Sequence, residues 1–267
     1  MKIALYLRHI DHASQPVFGE LVEALHAKGI AVQSVTDGDS VDGCDFLFSI
    51  GGDGTLLSSV QFVRSSNPAA FPPILGINFG HLGFLTTVGK EDFGVMIDDL
   101  LAGHYSLEQR TLLQINDDSY ALNEVFLHRS DESSLLRTQV FVDGDYVATY
   151  AGDGVIVATP TGSTAYSLSC GGPILTPNSK GLVITPISAH TLTLRPIIVP
   201  DTSRIVLRVE DGGQYTLGMD SRRRQMQGTV ELTLQRAPFT ISLIRMNTQN
   251  FFSAIRDKLM WGTEVRQ

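Results

Sequence analysis

The chain reads as an α/β domain followed by an all-β domain and closed by a helix. Three observations predict this. Strand-length apolar runs alternate with amphipathic helical stretches up to about Leu107, which implies a parallel sheet with helices packed on it. Beyond that point, short alternating strands are separated by Asp-Gly, Gly-Gly and Pro turns. The segment Phe251–Leu259 then returns to helical spacing and is expected to pack back on the first domain. The expected domains are residues 1–103 with 250–267, and residues 104–249. No Pro/Ser-rich linker, repeat or low-complexity stretch separates them, so a tight junction is expected.

Each element follows from local pattern. Lys2–Leu7 is a strand. Ser14–Lys28 is a helix with Ser14 as N-cap, Val17, Leu21 and Leu25 on one face, and Gly29 as its stop. Ile30–Val35 and Phe46–Ile50 are strands, and Thr55–Ser65 is a helix. Pro73–Asn78 is a buried strand, and Glu91–Leu101 is an amphipathic helix ended by Gly103. In the second part, Asp143-Gly144 turns a hairpin. Two more hairpins are expected. Arg204–Val209 and Gln214–Gly218 flank Glu210–Gly213, and Val230–Leu234 and Phe239–Arg245 flank Pro238.

The composition is that of a globular enzyme. The chain has 267 residues, 43% of them apolar and 18% charged, which argues against disorder. A net charge of -8 argues against a general nucleic-acid or membrane-surface binder. Cys44 and Cys170 make no disulfide framework, and no metal-ligand spacing surrounds them. The first residues read as a strand and are too short for a signal h-region, so a cytoplasmic location is expected.

The most informative residues are Gly51-Gly52-Asp53-Gly54-Thr55, between an apolar strand and a helix start. Glycines there allow close backbone approach, and the amides of such a turn suit a phosphate. Asp53 is an anion where a phosphate would sit. A purely structural turn has no need of it, so it reads as a working group, against the alternative of a plain Asp-Gly turn. No Walker Lys-Ser/Thr follows the glycines, so neutralising charge must come from elsewhere.

Three further segments carry chemistry. In Asn78–Leu85, Gly80 and Gly83 suggest close approach, and Phe84 offers a ring either to a base or to the core. His81 there reads as a structural histidine. Asn123-Glu124 interrupts the apolar strand Tyr120–His128. The amide can read a heterocycle edge and the carboxylate can bind ribose hydroxyls, or both can face water. Gly152–Pro173 runs from a glycine-flanked acid through a buried strand into Thr-Pro-Thr-Gly-Ser-Thr, whose hydroxyls and amides suit a nucleotide. Cys170 in that run reads as a small packed residue.

Together these segments resemble the NAD kinase family. Gly51–Thr55 resembles its glycine-aspartate signature, Asn78–Leu85 its Gly-His-Leu-Gly-Phe segment, Asn123-Glu124 its Asn-Glu pair, and Asp153–Gly172 its longest motif. The glycine turn alone also occurs in diacylglycerol and sphingosine kinases and phosphofructokinases, but the four segments in this order and spacing are specific. The resemblance implies an α/β domain with a Rossmann-like parallel sheet, then an all-β sandwich-like domain. It implies transfer of the terminal phosphoryl of ATP, or of polyphosphate, to the 2′-hydroxyl of the adenosine ribose of NAD. Mg2+ and a homo-oligomer, a dimer or tetramer, are implied with it.

Under that resemblance Asp53 is the general base, and Gly51, Gly52, Gly54 and Thr55 form the phosphate turn. Phe84 and Asn123 border the adenine, and Glu124 contacts ribose. Asp153, Thr164, Ala165, Tyr166, Ser167, Leu168 and Ser169 complete the NAD pocket. Asp153 and Tyr166 are candidates for serving a neighbouring subunit's site. Ser188 falls on the nicotinamide side. Two departures stand out. Ala151 occupies a position where relatives often have Arg or Gly, which bears on donor preference. Asp220-Ser221-Arg222 stands where relatives tend to have Asp-Gly-Gln, and Arg223 and Arg224 follow. Those arginines read as a solvated hairpin tip, or as charge that neutralises phosphate. A non-catalytic NAD(P) sensor and a lipid kinase of the diacylglycerol type are the alternatives.

Overall fold

The computed structural model describes residues 1–8, 16–79, 83–89, 93–116, 119–130, 135–210, 213–246 and 250–262. The chain divides into two compact units, Met1–Gln109 with Ile241–Gln267, and Arg110–Thr240.

In chain order the first elements are β1 (Lys2–Leu7), α1 (Pro16–Ala27), β2 (Ala31–Val35), β3 (Phe46–Ile50), α2 (Asp53–Ser59), α3 (Phe62–Ser65), β4 (Ile74–Ile77) and α4 (Phe93–Ala102). Next come β5 (Tyr105–Ile115), β6 (Ser119–Ala121), β7 (Glu124–Arg129), β8 (Leu136–Val142), β9 (Asp145–Gly152), β10 (Gly154–Ala158) and α5 (Tyr166–Ser169). The rest are β11 (Gly181–Ile187), β12 (Ile197–Pro200), β13 (Ile205–Val209), β14 (Gln214–Met219), β15 (Arg222–Gln227), β16 (Val230–Met246) and α6 (Phe251–Leu259).

The first unit carries a parallel sheet in the order β2-β1-β3-β4, with Leu243 of β16 beside Ile74 of β4. Strands β1, β3 and β4 are buried on both faces because helices cover both, whereas β2 is a partly exposed edge. Ile3, Leu5, Phe48, Ile50 and Leu75 pack with Leu21 and Leu25 of α1 and Met96, Ile97 and Leu100 of α4. On the opposite face Tyr6 meets Phe62 of α3 edge to face, at 5.0 Å between ring centroids. Helix α6 belongs to this unit and starts with a capping box of Asn250 and Ser253. The expected helix Thr55–Ser65 is two helices, α2 and α3. The expected N-cap Ser14 lies outside the described residues, as do Gly80 and His81.

The second unit contains a six-stranded antiparallel sheet, β12-β11-β10-β7-β14-β15. One of its faces (Val125, Leu127, Val155, Val157, Leu182, Ile184, Tyr215) packs with Val140, Ile205, Leu207 and Leu232 of a second antiparallel array, β9-β8-β13-β16. Its other face (Phe126, Ile156, Val183, Ile187) receives Tyr166, Cys170 and Leu175. Burial on both faces explains why Asn123 and Glu124 are buried rather than on a water-facing strand face. The β8–β9 turn has positive φ at both Asp143 and Gly144, as a two-residue hairpin of matching twist requires.

Two hairpin expectations are corrected. Strand β13 pairs with β8 and β16, whereas β14 pairs with β7 and β15, so the link between β13 and β14 crosses from one sheet to the other. Pro238 lies inside one continuous strand, β16, because its fixed φ suits extended backbone wherever no ladder donor is needed. Among the described residues no helix is long and apolar enough to cross a membrane, which says nothing of β-barrels.

Candidate active site

The glycine turn leaves β3 at Gly51, whose φ of +142° excludes most side chains. A Cβ there would also sit 2.4 Å from Thr55 Oγ1, so Thr55 is buried against the turn. Gly52 is the N-cap of α2, and Gly54 is exposed on its first turn. The first amides of a helix have no intrahelical acceptor and remain available to a ligand.

Asp53 has a structural task that its sequence neighbours do not disclose. Its Oδ2 accepts the backbone N–H of Phe84 at 2.8 Å. Its Oδ1 accepts the N–H groups of Leu85 and Thr86 and the Thr86 hydroxyl, at 3.1, 3.0 and 3.0 Å. The premise that a structural turn has no need of this carboxylate is therefore overturned: Asp53 pins the 83–86 loop beside the turn. Gly83 is required there, since a Cβ would lie 2.0 Å from Asp53 Oδ1. Among the described residues Oδ2 has one donor, so it keeps open acceptor capacity. Phe84 is half-buried, and its carbonyl accepts from buried Arg245, itself paired with Glu108 at 3.0 Å.

In the second unit Asn123 and Glu124 are buried, yet among the described residues Asn123 Oδ1 and Glu124 Oε2 have no hydrogen-bond partner. Buried acceptors left without donors are rare, and they point to a missing ligand or water. Asp220, with φ of +52°, holds this pair in place: its carboxylate accepts the backbone N–H groups of Leu122, Asn123 and Glu124 at 2.8, 2.8 and 3.2 Å. Burial pushes the Asp220 carboxyl up to about 6, against the lowering by those three donors. Burial, and then the charge of Asp220, push Glu124 up to about 8, while the Tyr166 N–H pulls it down. Glu124 therefore carries a proton at neutral pH and can donate as well as accept.

Several hydroxyls of the 159–169 run are bonded within the fold. Thr159 donates to the Leu122 carbonyl at 2.5 Å, Ser163 to the Pro160 carbonyl at 2.7 Å, and Ser167 is bonded to Thr185 at 2.8 Å. Thr164 donates to the Thr161 carbonyl at 3.3 Å. Gly162 is needed because its Cβ would fall 2.1 Å from the Asn123 carbonyl oxygen. Ala165 precedes α5, where Tyr166, Ser167, Leu168 and Ser169 follow, and the Tyr166 ring meets Phe126 edge to face at 5.3 Å. A cavity of about 270 Å3 is lined by Glu124, Phe126, His128, Tyr166, Thr216, Asp220 and Arg223.

Ala151, Asp153 and Ser188 come together around Gly152, where a Cβ would meet the Ile187 and Ser188 carbonyls at 2.8 Å. Asp153 pairs with Arg129 at 2.7 Å. Ser221 sits in the β14–β15 turn beside Asp220. Arg222 donates to the Tyr120 carbonyl, so it is no solvated tip; Arg223 faces the cavity and Arg224 is exposed. Sequence reading misses the roles of Asp220, Arg129, Arg245 and Thr86 because their partners lie far along the chain. Among the described residues no group of three or more His, Cys, Asp or Glu side chains is placed to hold a metal ion.

A pH-dependent stability follows from Glu124. Its carboxyl titrates at about 8 in the fold against 4.5 for the ordinary group, so the folded chain holds an extra proton between those values. Stability therefore falls as pH rises through that window. Glu124→Gln removes the Glu124 share of this loss while keeping an acceptor for the Tyr166 N–H. Relative to wild type, its Tm is expected to be about 10 °C or more higher at pH 9 than the difference seen at pH 4.5. Thermal unfolding at both pH values checks this, and a pH-independent difference overturns it.

A parallel sheet of order 2-1-3-4 with a glycine turn at a strand's carboxyl end belongs to the class of open α/β proteins that bind ligands at a topological switch point, and the amides of such a turn suit a phosphate. The comparisons with known proteins narrow that class. Residues 10–105 match the ATP-NAD kinase N-terminal domain and residues 122–246 the ATP-NAD kinase C-terminal domain. The NAD kinase of Flavobacterium johnsoniae is 34% identical, with all of both chains covered. That of Cytophaga hutchinsonii is 40% identical over 83% of this chain and 77% of that protein. The crystal structure of an NAD kinase from Archaeoglobus fulgidus in complex with ATP superposes with a TM-score of 0.80 at 26% identity, covering 96% of this chain and 99% of that one. The chain belongs to the NAD kinase family, a family of phosphotransferases. The expected fold class, an α/β sheet followed by a separate antiparallel β-rich part and a C-terminal helix, is borne out.

Proposed function

We propose that this chain transfers the terminal phosphoryl group of ATP, or of another donor such as polyphosphate, to the 2′-hydroxyl of the adenosine ribose of NAD, giving NADP. The observation that carries the reading is the pair of buried acceptors without donors, Asn123 Oδ1 and Glu124 Oε2, in a chain of this family. Asn123, with Phe84, borders the adenine, and Glu124, protonated at neutral pH, contacts ribose. Ala151, Asp153, Thr164, Ala165, Tyr166, Ser167, Leu168, Ser169 and Ser221 line the rest of the NAD pocket, with Ser188 at its nicotinamide side. Ser167 contributes through packing, since its hydroxyl is bonded to Thr185.

The chemistry needs alignment, charge neutralisation and a base. The 2′-oxygen attacks the terminal phosphorus as its proton passes to Asp53 Oδ2, and the bond from that phosphorus to the bridging oxygen breaks, releasing ADP. The amides at Gly52–Gly54 face the transferring phosphoryl. Mg2+ enters as the counter-ion of the triphosphate, part of the donor substrate. The assembly is proposed to be a homo-oligomer.

The test is an assay of NADP formation from NAD and NADPH formation from NADH, with ATP and with polyphosphate, run beside a diacylglycerol assay. NADP is the expected product. NAD binding without turnover on any donor would make the chain a sensor, and lipid phosphorylation would make it a lipid kinase. In the same preparation Asn123→Ala should raise the Kd for NAD by about 10-fold or more, since removing one partner of a buried polar pair costs roughly 1–3 kcal/mol. An unchanged Kd would remove Asn123 from the site.

A further inference from the structure

We propose that Arg8 binds the phosphates of the phosphoryl donor, supplying the positive charge that the glycine turn lacks; this rests on the donor reading above. The sheet order β2-β1-β3-β4 means that the chain leaves β1 in one direction and returns on its other side. The carboxyl ends of β1 and β3 therefore flank the topological switch point, where open α/β sheets bind their ligands. Leu7 pairs with Ile50, so the next residues, Arg8 and Gly51, leave the sheet side by side at that crevice.

Arg8 reaches from one lip of the crevice toward the other. Its Nη1 lies 3.9 Å from where a Cβ on Gly54 would stand. Both Arg8 and Gly54 are exposed, and Gly54 has no side chain to intervene. Among the described residues no hydrogen bond or ion pair engages Arg8. The guanidinium thus stands at the crevice as a cation that the described part of the fold leaves without an anion.

The charge balance favours this use. The chain carries a net charge of -8, and no lysine follows the glycines as in a P-loop. A triphosphate approaching Asp53 needs a cation close to its terminal group. A planar guanidinium can take two phosphate oxygens at once, which an ammonium cannot.

The experiment measures Arg8→Ala and Arg8→Lys in the full chain. Calorimetry gives Kd for ATP with Mg2+, for inorganic tripolyphosphate and for NAD, and kinetics give KM and kcat. Arg8→Ala should raise Kd and KM for ATP, and Kd for tripolyphosphate, by roughly 10–100-fold, as expected for a lost charge-assisted hydrogen bond. Kd for NAD should stay within about two-fold, and Arg8→Lys should recover part of the loss. Lys28→Ala is the control, because Lys28 is an exposed cation already paired with Asp98. Unchanged ATP and tripolyphosphate binding overturns the proposal, as does an equal loss of NAD affinity. If the wild type makes no NADP but Arg8→Ala still weakens ATP binding, the functional reading falls and Arg8 keeps its role. If NADP forms and Arg8→Ala is indifferent to ATP, Arg8 falls and the function stands.

Discussion

Asp53→Asn is expected to lower kcat for NAD phosphorylation by about 10²–10⁴-fold, the usual contribution of a general base. Kd for NAD should change only a few-fold. The substitution is not structurally silent. An amide must turn its NH2 group either toward the Phe84 N–H, now bonded to Oδ2, or toward the three donors now bonded to Oδ1. Either placement sets donor against donor, so Tm should fall as well, by an amount that reflects about 1–3 kcal/mol for an unsatisfied buried group. Thr86→Val separates the two effects. It removes one donor to Oδ1 and leaves the carboxylate intact, so it should lower Tm while keeping kcat within about ten-fold, because the base itself survives. Steady-state kinetics at saturating NAD and thermal unfolding give both numbers. Near wild-type turnover in Asp53→Asn would reduce Asp53 to the loop anchor that its hydrogen bonds already make it.

Gly162→Ala carries the second large effect. The new Cβ would meet the Asn123 carbonyl oxygen at 2.1 Å, its carbonyl carbon at 2.4 Å and its Cα at 2.7 Å. All three are backbone atoms, so no rotamer change relieves the clash, and either the 161–164 turn or the Asn123-Glu124 segment must move. Overpacking of this kind costs typically about 1–3 kcal/mol. The displaced segment is the one held by Asp220 and by the Thr159 N–H, which bonds the Asn123 carbonyl at 2.8 Å. Gly162→Ala should therefore lower Tm and raise Kd for NAD by about ten-fold or more, comparable to losing a buried hydrogen bond. Gly19→Ala is the contrast: that glycine lies within α1 with nothing within 4 Å of its Cβ position. It should stabilise the chain by about 0.5–1 kcal/mol through helix propensity and leave NAD binding unchanged. Equal behaviour of the two variants would mean that the turn tolerates a side chain and does not position Asn123.

Local pattern is enough for much of the architecture. Continuous apolar runs such as Phe46–Ile50 and Ile74–Ile77 belong to parallel strands covered on both faces, and they alternate with amphipathic helices. The Asp143-Gly144 hairpin and helix α6 follow from residue types and spacing that act within a few residues of one another. The glycine turn and the Asn123-Glu124 pair are visible for the same reason: each is a short run whose composition departs from its apolar surroundings.

Pairing and partnership are decided only in three dimensions. A turn signal marks where the chain reverses but not which strand it joins, so β13 and β14 look like one hairpin in the sequence although they lie in different sheets. Pro238 looks like the end of a strand that in fact runs on, because an extended proline is costly only where its missing N–H is wanted. Asp53 gains its loop partners from 31–33 residues away, and Asp220 its three amides from 96–98 residues away. Carboxylates take whatever donors the fold delivers, and nothing in a carboxylate's neighbours along the chain records them. Gly83 and Gly162 likewise look like ordinary loop glycines until the fold brings the Asp53 carboxylate and the Asn123 backbone against the space a Cβ would occupy. Sequence determined which chemical groups this protein has and the local shapes that carry them. Tertiary packing decided which of those groups the fold occupies and which, like Asn123 Oδ1, Glu124 Oε2 and Arg8, the described residues leave over, because desolvation and long-range hydrogen bonding act between residues that only folding makes neighbours.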